Sequence, residues 1–576
     1  METAVSRSRW QPYLRGASRV SSRWTLTPVH VIRSFSPLAA ICALGVALHA
    51  QGVPRAATPP STTARPALPV PALVVFITVD QLRPDYLTRW HDQLSGGLRR
   101  LMDDGWFDPN GSQDHAITET APGHASTMSG RFPYSTGIAS NSAGVNTAEA
   151  PLVGSEGIGA SPFRFQGTTL ADWMTAADPR TRVLSVSRKD RGAILPIGRG
   201  RFPVFWYAAA SGRFVTSTWY ADSLPTWVQV FNAEDRVMAR YAGQVWAPLL
   251  PESAYAEPDS VDGEIPSQEV TFPHLAPDDT TLARGAITSF PWMDEFTLDF
   301  AWRGVRALGL GAGPQTDLLA VSLSTTDAIG HRWGPDSREL HDQVLRLDRS
   351  LGVFLDSLIA LRGADRIVVA LTADHGVAPS PDVRSSWGDN SKATRVFPDD
   401  FNAALATVAP LLAKSGVDPT ALSFDGQTLD VDRTKTKGKE REVREVVRAF
   451  AAAAGKVPGV ERADVIDDLA RVDTVKDVIA RRWLHMFRPG GEVAVAITLE
   501  PYSYFGRGNT ATHGSPHDYD ARVPIIFWGT PIIPGRVDLP ARVVDMAPTL
   551  AHLLRVRPLE RLDGKILTRV LRPVTP

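Results

Sequence analysis

The amino-acid sequence predicts an α/β protein with a mostly parallel central sheet flanked by helices, and three observations lead to this class. Short apolar runs rich in Val, Ile and Leu recur along the chain, helical patterns lie between them, and acidic or histidine residues follow several of the runs. Such continuous runs are typical of strands buried on both faces of a parallel sheet, and their alternation with helices is typical of α/β folds. The runs are LVVFITV (73–79), RVLSVS (182–187), DLLAVSL (317–323), RIVVALT (366–372) and VPIIFWG (523–529).

The clearest helical pattern lies between the third and fourth runs, in DQVLRLDRSLGVFLDSLIALR (342–362). Its apolar residues recur every three or four positions, which is the spacing of one face of a helix. We therefore predict a long amphipathic helix in this segment. The apolar positions are Val344, Leu347, Leu351, Phe354, Leu355 and Leu358.

Two stretches interrupt the alternation within the predicted folded region, residues 72–572. Residues 200–300 are loop-rich and contain the aromatic segment FWYAAASGRFVTSTWY (205–220), which belongs either to the core or to the wall of a substrate pocket. Residues 395–490 have helical patterns and a polar run, KTKGKERE (435–442), for which we predict a solvated loop and a helix start. We place both stretches outside the core sheet, as cap or satellite insertions.

The N-terminal segment has the features of an export signal. Residues 1–35 contain six arginines and one acid, and the apolar run PLAAICALGVALHA (37–50) is short for a membrane span. We predict a signal peptide over residues 1–50, a proline-rich spacer over 51–71, and a periplasmic or secreted mature protein without stable membrane association. The alternative is an N-terminal segment that is retained as a membrane anchor.

Composition excludes several classes of protein. The hydrophobic fraction of 43% and the charged fraction of 21% are those of a globular chain, not of a disordered chain, a collagen or a coiled coil. With 61 basic and 62 acidic residues, the charge balance predicts no nucleic-acid partner. The only cysteine, Cys42, lies in the N-terminal apolar run, so the mature chain would contain neither a disulfide nor a thiolate ligand.

Potential metal ligands follow several of the predicted strands. Asp80 follows the first run, Asp327 and His331 follow the third, and Asp374 and His375 follow the fourth, while His513 shortly precedes the fifth. In open α/β sheets ligands bind beyond the carboxyl ends of the strands, so we expect these side chains at one edge. Each residue alone has an ordinary structural explanation: Asp80 could cap a helix, and His517 is an alternative to His513.

The ligand types and their number indicate two divalent ions. Three carboxylates and three imidazoles suit zinc, or another divalent metal such as manganese or cobalt. Six ligands exceed what one tetrahedral ion with an open position needs. Two ions about 3.5–4 Å apart can hold the attacking and leaving oxygens of a phosphoryl displacement.

A candidate nucleophile lies in TETAPGHAS (118–126), where Thr120 precedes Ala-Pro-Gly-His. The segment is similar to a nucleophile turn that opens a helix, and the free N–H groups of a helix N-terminus suit a phosphate. The structural alternative is an ordinary N-terminal threonine with a proline just inside the helix.

Taken together, these segments resemble the alkaline phosphatase superfamily over nearly all of residues 72–572. The resemblance implies two zinc ions per chain, with Asp80, Thr120, Asp374 and His375 as ligands on the nucleophile side. Asp327, His331 and His513 would bind the ion that faces the leaving group. The motifs are VDQLRPDYL (79–87), TETAPGHAS (118–126), STTDAIGHRWGP (324–335), TADHG (372–376), THGSPHDYDARVPIIFWG (512–529) and VVDMAPTL (543–550).

The segment SRKDRGAILP (187–196) resembles the bacterial alkaline phosphatases with a threonine nucleophile, in which a Lys-x-Arg pair contacts the phosphoryl group. Lys189 and Arg191 form the pair, and Asn141 matches the asparagine that contacts the phosphate. This resemblance predicts hydrolysis of small phosphate monoesters, since a monoester dianion presents three charged oxygens to fixed cationic donors. The structural alternative for the pair is surface pairing with Asp190.

Three other functions fit parts of the pattern. A phosphodiesterase or nucleotide pyrophosphatase shares all seven metal positions but generally lacks the Lys-x-Arg pair. A sulfatase needs a Cys or Ser in a C/S-x-P-x-R motif, which Thr120 and its neighbours do not provide. A non-catalytic binding protein of the same fold would be indicated by loss of a ligand or of the nucleophile, and none is lost.

Overall fold

A ten-stranded sheet forms the centre of the computed structural model, which describes residues 70–260, 270–386, 388, 392–506 and 510–572. The predicted signal peptide, residues 1–50, lies outside the described residues, and so do residues 51–69 of the predicted spacer. All described residues belong to one compact unit, Arg65–Pro576. In the described part of the chain, no helix is both long enough and apolar enough to cross a membrane.

The strands and helices are numbered in chain order. The strands are β1 (Leu73–Val79), β2 (Trp106–Asp108), β3 (Gly111–Ser112), β4 (Leu152–Val153), β5 (Val183–Ser187), β6 (Val204–Ala208), β7 (Arg213–Ser217), β8 (Val245–Trp246), β9 (His274–Leu275), β10 (Asp317–Leu323), β11 (Ile367–Thr372), β12 (Ala378–Pro379), β13 (Arg395–Val396), β14 (Leu422–Phe424), β15 (Thr428–Val431), β16 (Val460–Val465), β17 (Val493–Leu499), β18 (Tyr504–Phe505), β19 (Ala511–Thr512), β20 (Ile525–Trp528), β21 (Gly535–Arg536) and β22 (Ala541–Arg542). The α-helices are α1 (Pro84–Arg89), α2 (Gly97–Asp103), α3 (Thr120–Thr127), α4 (Pro133–Thr136), α5 (Leu170–Ala177), α6 (Asp190–Ile194), α7 (Thr226–Ala233), α8 (Thr280–Ala286), α9 (Trp292–Leu308), α10 (Thr325–Trp333), α11 (Arg338–Arg362), α12 (Pro381–Ser386), α13 (Asn402–Ser415), α14 (Glu440–Ala454), α15 (Ile466–Leu469), α16 (Val478–Met486), α17 (Asp518–Ala521) and α18 (Met546–Leu554).

The middle of the sheet is parallel, which confirms the predicted α/β class. The strand order is β21-β2-β20-β11-β1-β10-β5-β6-β7-β4, and the five neighbours from β11 to β6 all pair in parallel. Every residue of β1, β10 and β11 is buried, as expected for strands covered on both faces.

The fifth apolar run differs from the prediction in direction, because β20 pairs antiparallel with β11. Thr372, the last residue of β11, lies opposite Ile525, the first residue of β20. The segment that precedes β20 therefore lies at the edge where β1, β10 and β11 end. A strand with the opposite direction thus brings His513 to the predicted ligand edge.

The predicted amphipathic helix is confirmed as α11, which begins four residues before the predicted start. The hydroxyl of Ser337 accepts a hydrogen bond from the Leu340 amide at 3.1 Å and caps the helix. The helix ends before Gly363. Its φ is 88°, a value that residues with a side chain rarely adopt.

The prediction that residues 200–300 lie outside the core sheet is wrong for their first part. β6 and β7 form a hairpin that extends the central sheet, because their aromatic side chains pack against α9. Phe214 is fully buried and stacks on Phe300 of α9 at 3.9 Å. The buried part of the aromatic segment is therefore core, and not the wall of a substrate pocket.

The second insertion, predicted as residues 395–490, forms a subdomain that extends further to include β17. Its sheet is ordered β14-β15-β17-β16 and pairs antiparallel throughout. The sequence indicated the helices α13 and α14 but not these strands. A separate apolar core fills the space between sheet and helices and includes Val431, Phe450 and Val495. The polar run 435–442 forms a turn and the start of α14 at Glu440, as predicted.

Candidate active site

Three aspartates meet where the central strands end. Asp80 directly follows β1, Asp374 follows β11, and Asp327 lies in the first turn of α10, which follows β10. All three are at most 4% exposed. The ammonium nitrogen of Lys189 lies 2.5 Å from Asp80 Oδ2 and 2.7 Å from Asp327 Oδ2. The predicted ligand edge of the sheet is therefore a buried acidic cluster with one lysine inside it.

The charges of this cluster are incompletely balanced. Burial, followed by the charges of Asp327 and Asp374, raises the pKa of Asp80 to about 6 even though Lys189 acts in the opposite direction. Burial would raise the pKa of Asp327 as well, but Lys189 and His331 hold it well below its usual range. Asp80 resists ionisation because it is buried and two other carboxylates lie beside it. Additional positive charge at this place would therefore stabilise the cluster.

The three predicted histidine ligands share one orientation. In each ring Nδ1 contacts a main-chain carbonyl oxygen and Nε2 faces the acidic cluster. A carbonyl that accepts the Nδ1 proton fixes the tautomer in which Nε2 is free to bind a metal. Nε2 of His331 and Nε2 of His513 are only 3.2 Å apart. The carbonyl partners are Ala511 for His331 at 2.8 Å, Gly376 for His375 at 3.0 Å and Thr118 for His513 at 2.8 Å.

The alternative histidine, His517, faces away from the cluster. Its Nε2 lies 2.9 Å from the carbonyl oxygen of Leu499 and 3.6 Å from Glu461. Both partners belong to or adjoin the subdomain sheet. The structure therefore places His513, and not His517, beside the other ligands.

The candidate nucleophile is the first residue of α3. Thr120 is 1% exposed, and its hydroxyl lies 3.3 Å from the ammonium nitrogen of Lys189 and 3.5 Å from Nε2 of His375. Helix α3 approaches β11 so closely that a Cβ atom at Gly123 would lie 2.2 Å from the carbonyl oxygen of Asp374. This glycine therefore permits the approach that places the hydroxyl beside the cluster.

The residues of the cluster fit a divalent metal. Neither carboxylate oxygen of the fully buried Asp80 accepts a well-aligned hydrogen bond, although Lys189 lies close to one of them. Buried acceptors without partners, next to fixed imidazole nitrogens, are the donor set that zinc uses in proteins. Two groups of side chains in the described residues bring three ligand atoms within 4.8 Å of one another. They are Asp327 with His331 and His513, and Asp80 with Asp327 and His375.

The first of these groups is the set predicted for the leaving-group side. The second shares Asp80 and His375 with the set predicted for the nucleophile side but includes Asp327. The other two members of that set, Thr120 and Asp374, lie 3.5 and 3.6 Å from Nε2 of His375. All seven predicted ligands are thus together, and their division between two ions stays a prediction.

The two remaining candidate residues are Asn141 and Arg191. Oδ1 of Asn141 accepts a hydrogen bond from the Ala121 amide at 2.9 Å, and contact of its NH2 group with a phosphoryl oxygen stays a prediction. Arg191 lies in the first turn of α6, and its guanidinium pairs with Asp190 at 3.7 Å. Its Nε is buried and has no hydrogen-bond partner among the described residues. Contact of Arg191 with a phosphoryl group stays a prediction.

One residue of the site was missed in the sequence. Gln81 is fully buried, its main-chain amide donates to Asp374 Oδ1 at 3.1 Å, and its side-chain amide donates to Asp327 Oδ1 at 3.1 Å. It therefore connects carboxylates from both predicted metal sets. Its φ is 66°, and a Cβ atom at Gly330 would lie 1.9 Å from its side-chain oxygen. The motif VDQ contains Gln81, but nothing in it reveals the backbone conformation that turns both amides toward the cluster.

Comparison with known proteins agrees with this geometry. Residues 74–397, more than half of the chain, match the model of the type I phosphodiesterase / nucleotide pyrophosphatase family. The chain belongs to this family, within the alkaline phosphatase superfamily. The resemblance found in the sequence motifs is thereby confirmed, and the match includes six of the seven predicted ligands.

Several known proteins are similar to this chain over most of its length. Alkaline phosphatase PhoV of Synechococcus elongatus is 31% identical over 89% of this chain and 94% of its own length. A Myroides odoratus protein named calcium-transporting ATPase is 34% identical over 84% of this chain and 92% of its own length. The crystal structure of alkaline phosphatase PafA matches with a TM-score of 0.78 at 29% identity, covering 88% of this chain and all of that one.

Proposed function

We propose that the protein is an exported, zinc-dependent alkaline phosphatase that hydrolyses small phosphate monoesters through a covalent phosphothreonine at Thr120. The family and the names of the relatives PhoV and PafA support the class of enzyme, a phosphoric monoester hydrolase. The donor set of the cluster supports zinc.

The observation that carries the proposal is the position of Lys189. Its ammonium group lies 3.3 Å from the Thr120 hydroxyl, inside a cluster of carboxylates that is otherwise closed to solvent. A fixed cation beside a nucleophile stabilises the negative charge on the oxygens of a phosphoryl group as it is transferred. A phosphate monoester has more of this charge than a diester.

In the first half of the reaction, Thr120 loses its hydroxyl proton to water and Oγ1 attacks phosphorus as the alkoxide, while the bond to the leaving alcohol breaks with its electron pair on the alcohol oxygen. Bound by the predicted ligands, zinc would supply the positive charge that lowers the pKa of the hydroxyl and stabilises the leaving oxygen. Lys189 and the NH2 group of Asn141 hold the non-bridging oxygens. Arg191 is predicted to donate a further hydrogen bond to these oxygens.

In the second half, water attacks the phosphothreonine from the side that the alcohol has left. Thr120 Oγ1 departs with the electron pair of the Oγ1–P bond, and inorganic phosphate is released. His331 and His513 are the ligands predicted for that side, and main-chain carbonyls hold their rings with Nε2 facing the cluster. The same rigid residues thus serve both halves of the reaction.

The test is a comparison of an aryl monoester with the matching diester, because the family also includes phosphodiesterases. Loss of one preorganised charged donor commonly lowers the rate by about 10²–10³-fold. We expect Lys189→Ala combined with Arg191→Ala to depress kcat/KM for the monoester by at least that factor. The activity on the diester should fall far less, since its single charge gains less from the pair.

Asp190→Asn is the matched control, because it removes the negative charge that pairs with Arg191 and keeps both cationic side chains. The wild-type protein should prefer the monoester by orders of magnitude. A wild-type preference for the diester, or equal losses of both activities in the double variant, would replace this function with that of a phosphodiesterase.

Export is tested independently of catalysis. We expect residues 1–55, fused to a reporter that matures only outside the cytoplasm, to yield an active reporter. Recovery of the native protein from the cytosol with Met1 intact would contradict export. Recovery from the membrane fraction would support the retained anchor instead.

A further inference from the structure

A cavity of about 190 Å³ lies between the catalytic body and the subdomain. The body contributes Glu119, His513 and Gly514 to its wall, and the subdomain contributes Gln427 and Ile497. The amide of Gln427 donates a hydrogen bond of 3.3 Å to the carbonyl oxygen of Gly514, which connects the two sides. A cavity of 150 Å³ is already sufficient to hold benzene. The space is therefore large enough for one aromatic ring.

One part of the wall of this cavity is apolar, while the rest is polar and includes two carboxyl groups, Glu119 and Asp520. Ile497 and Leu499 of β17 and Tyr504 and Phe505 of β18 supply aliphatic and aromatic surface. Lys and Arg are absent from the described residues that line it. Since Glu119 is part of the wall, a second negative charge on a ligand would be repelled there.

The cavity adjoins the candidate active site, because His513 belongs to the cavity wall and also faces the acidic cluster. Glu119 directly precedes Thr120, and His513 lies with its Nε2 3.7 Å from Asp327 Oδ1. The loop after His513 is fixed to the nucleophile segment, because the hydroxyl of Thr118 donates to the carbonyl oxygen of Ser515 at 2.9 Å. A leaving oxygen near His513 therefore has this cavity beside it.

We propose that this cavity binds the organic substituent of the leaving alcohol, and that the enzyme prefers monoesters of uncharged alcohols with one aromatic ring or an apolar group of similar size. This inference rests on the proposed function, and it assigns a specificity role to subdomain residues that make no contact with the phosphoryl group. Gln427 and Ile497 lie far from Thr120 in the sequence and form the side of the cavity that distinguishes one alcohol from another.

The experiment measures binding of non-hydrolysable phosphonates to the metal-loaded full-length protein by calorimetry, so that leaving-group reactivity does not influence the result. Burial of one aromatic ring should make phenylphosphonate bind roughly 10–100-fold more tightly than methylphosphonate. 4-Carboxyphenylphosphonate should lose most of this advantage because of its extra charge. Equal affinities of the wild-type protein for the phenyl and methyl compounds would overturn the inference.

A variant locates the binding site. Gln427→Trp fills part of the cavity and should weaken phenylphosphonate binding about tenfold, while the affinities for methylphosphonate and inorganic phosphate stay within about twofold. Gln427→Ala is the matched control: it loses the same hydrogen bond without filling space, so the preference for the phenyl compound should persist. A preference that survives unchanged in Gln427→Trp would place the ring elsewhere and overturn the inference.

The outcomes also separate this inference from the proposed function. If inorganic phosphate binds and monoesters are hydrolysed but the phenyl group brings no advantage, the cavity assignment fails and the phosphatase function stands. If neither phosphate nor any phosphonate binds to the metal-loaded protein, both fail together.

Discussion

Replacement of Thr120 by alanine is expected to abolish hydrolysis of phosphate monoesters, with a loss of roughly 10⁴-fold or more, because no other group in the site would receive the phosphoryl group. The phosphoenzyme that acid quenching traps in the wild-type protein should be absent. Thr120→Ser keeps the hydroxyl and loses one methyl group, so it should retain measurable activity and a labelled serine.

The fold should tolerate these substitutions, because Thr120 is at the start of α3 and its hydroxyl contacts only Lys189 and His375 among the described residues. The circular dichroism of the alanine variant should therefore resemble that of the wild type, and its metal content should largely persist because Asp80, Asp374 and His375 remain as ligands on the nucleophile side. Wild-type phosphate label on any residue other than Thr120 would remove Thr120 from the role of nucleophile.

Metal removal is expected to have an equally large effect. Elemental analysis of protein purified without chelator should find about two zinc ions per chain. Exhaustive chelation should eliminate activity and lower the melting temperature, since bound ions stabilise the folded state and their loss returns unscreened charge to Asp80 and its neighbours. Readdition of zinc should restore both.

A variant of one ligand distinguishes a specific loss of metal from general unfolding of the protein. Asp327→Asn removes a carboxylate that belongs to both ligand groups and should reduce zinc content, while Asp190→Asn outside the cluster should leave it unchanged. Full activity after exhaustive chelation, with no metal detected, would exclude a metal-dependent mechanism.

The position of the site was predictable because strand ends are visible in the sequence. Asp80, Asp327 and Asp374 follow buried apolar runs, and parallel strands deliver such residues to one edge. His513 was assigned to the same edge even though the direction of β20 was not predicted. A run buried on both faces has the same pattern in a parallel and an antiparallel strand, so the sequence could not distinguish the two.

Other parts of the fold depended on contacts that the sequence does not reveal. The hairpin of β6 and β7 joins the sheet because Phe214 packs against Phe300 of α9, which is distant from it in the sequence. The subdomain strands β14 and β15 are only three and four residues long and leave little periodic pattern. Gln81 contributes through a backbone φ of 66° and through a side chain that packs closely against Gly330, and neither is visible in the sequence.

The ligand set has a consequence for how the protein is made. Its members extend from Asp80 to His513, and β1 pairs with β10 and β11, so that Leu73 lies beside Asp317 and Ile367. Such distant pairings form slowly, and they require that nearly the whole chain has been synthesised. High-affinity binding of metal by this set would therefore be a property of the finished fold alone. A chain that crosses a membrane unfolded would carry no metal and would acquire its ions from the compartment in which it folds.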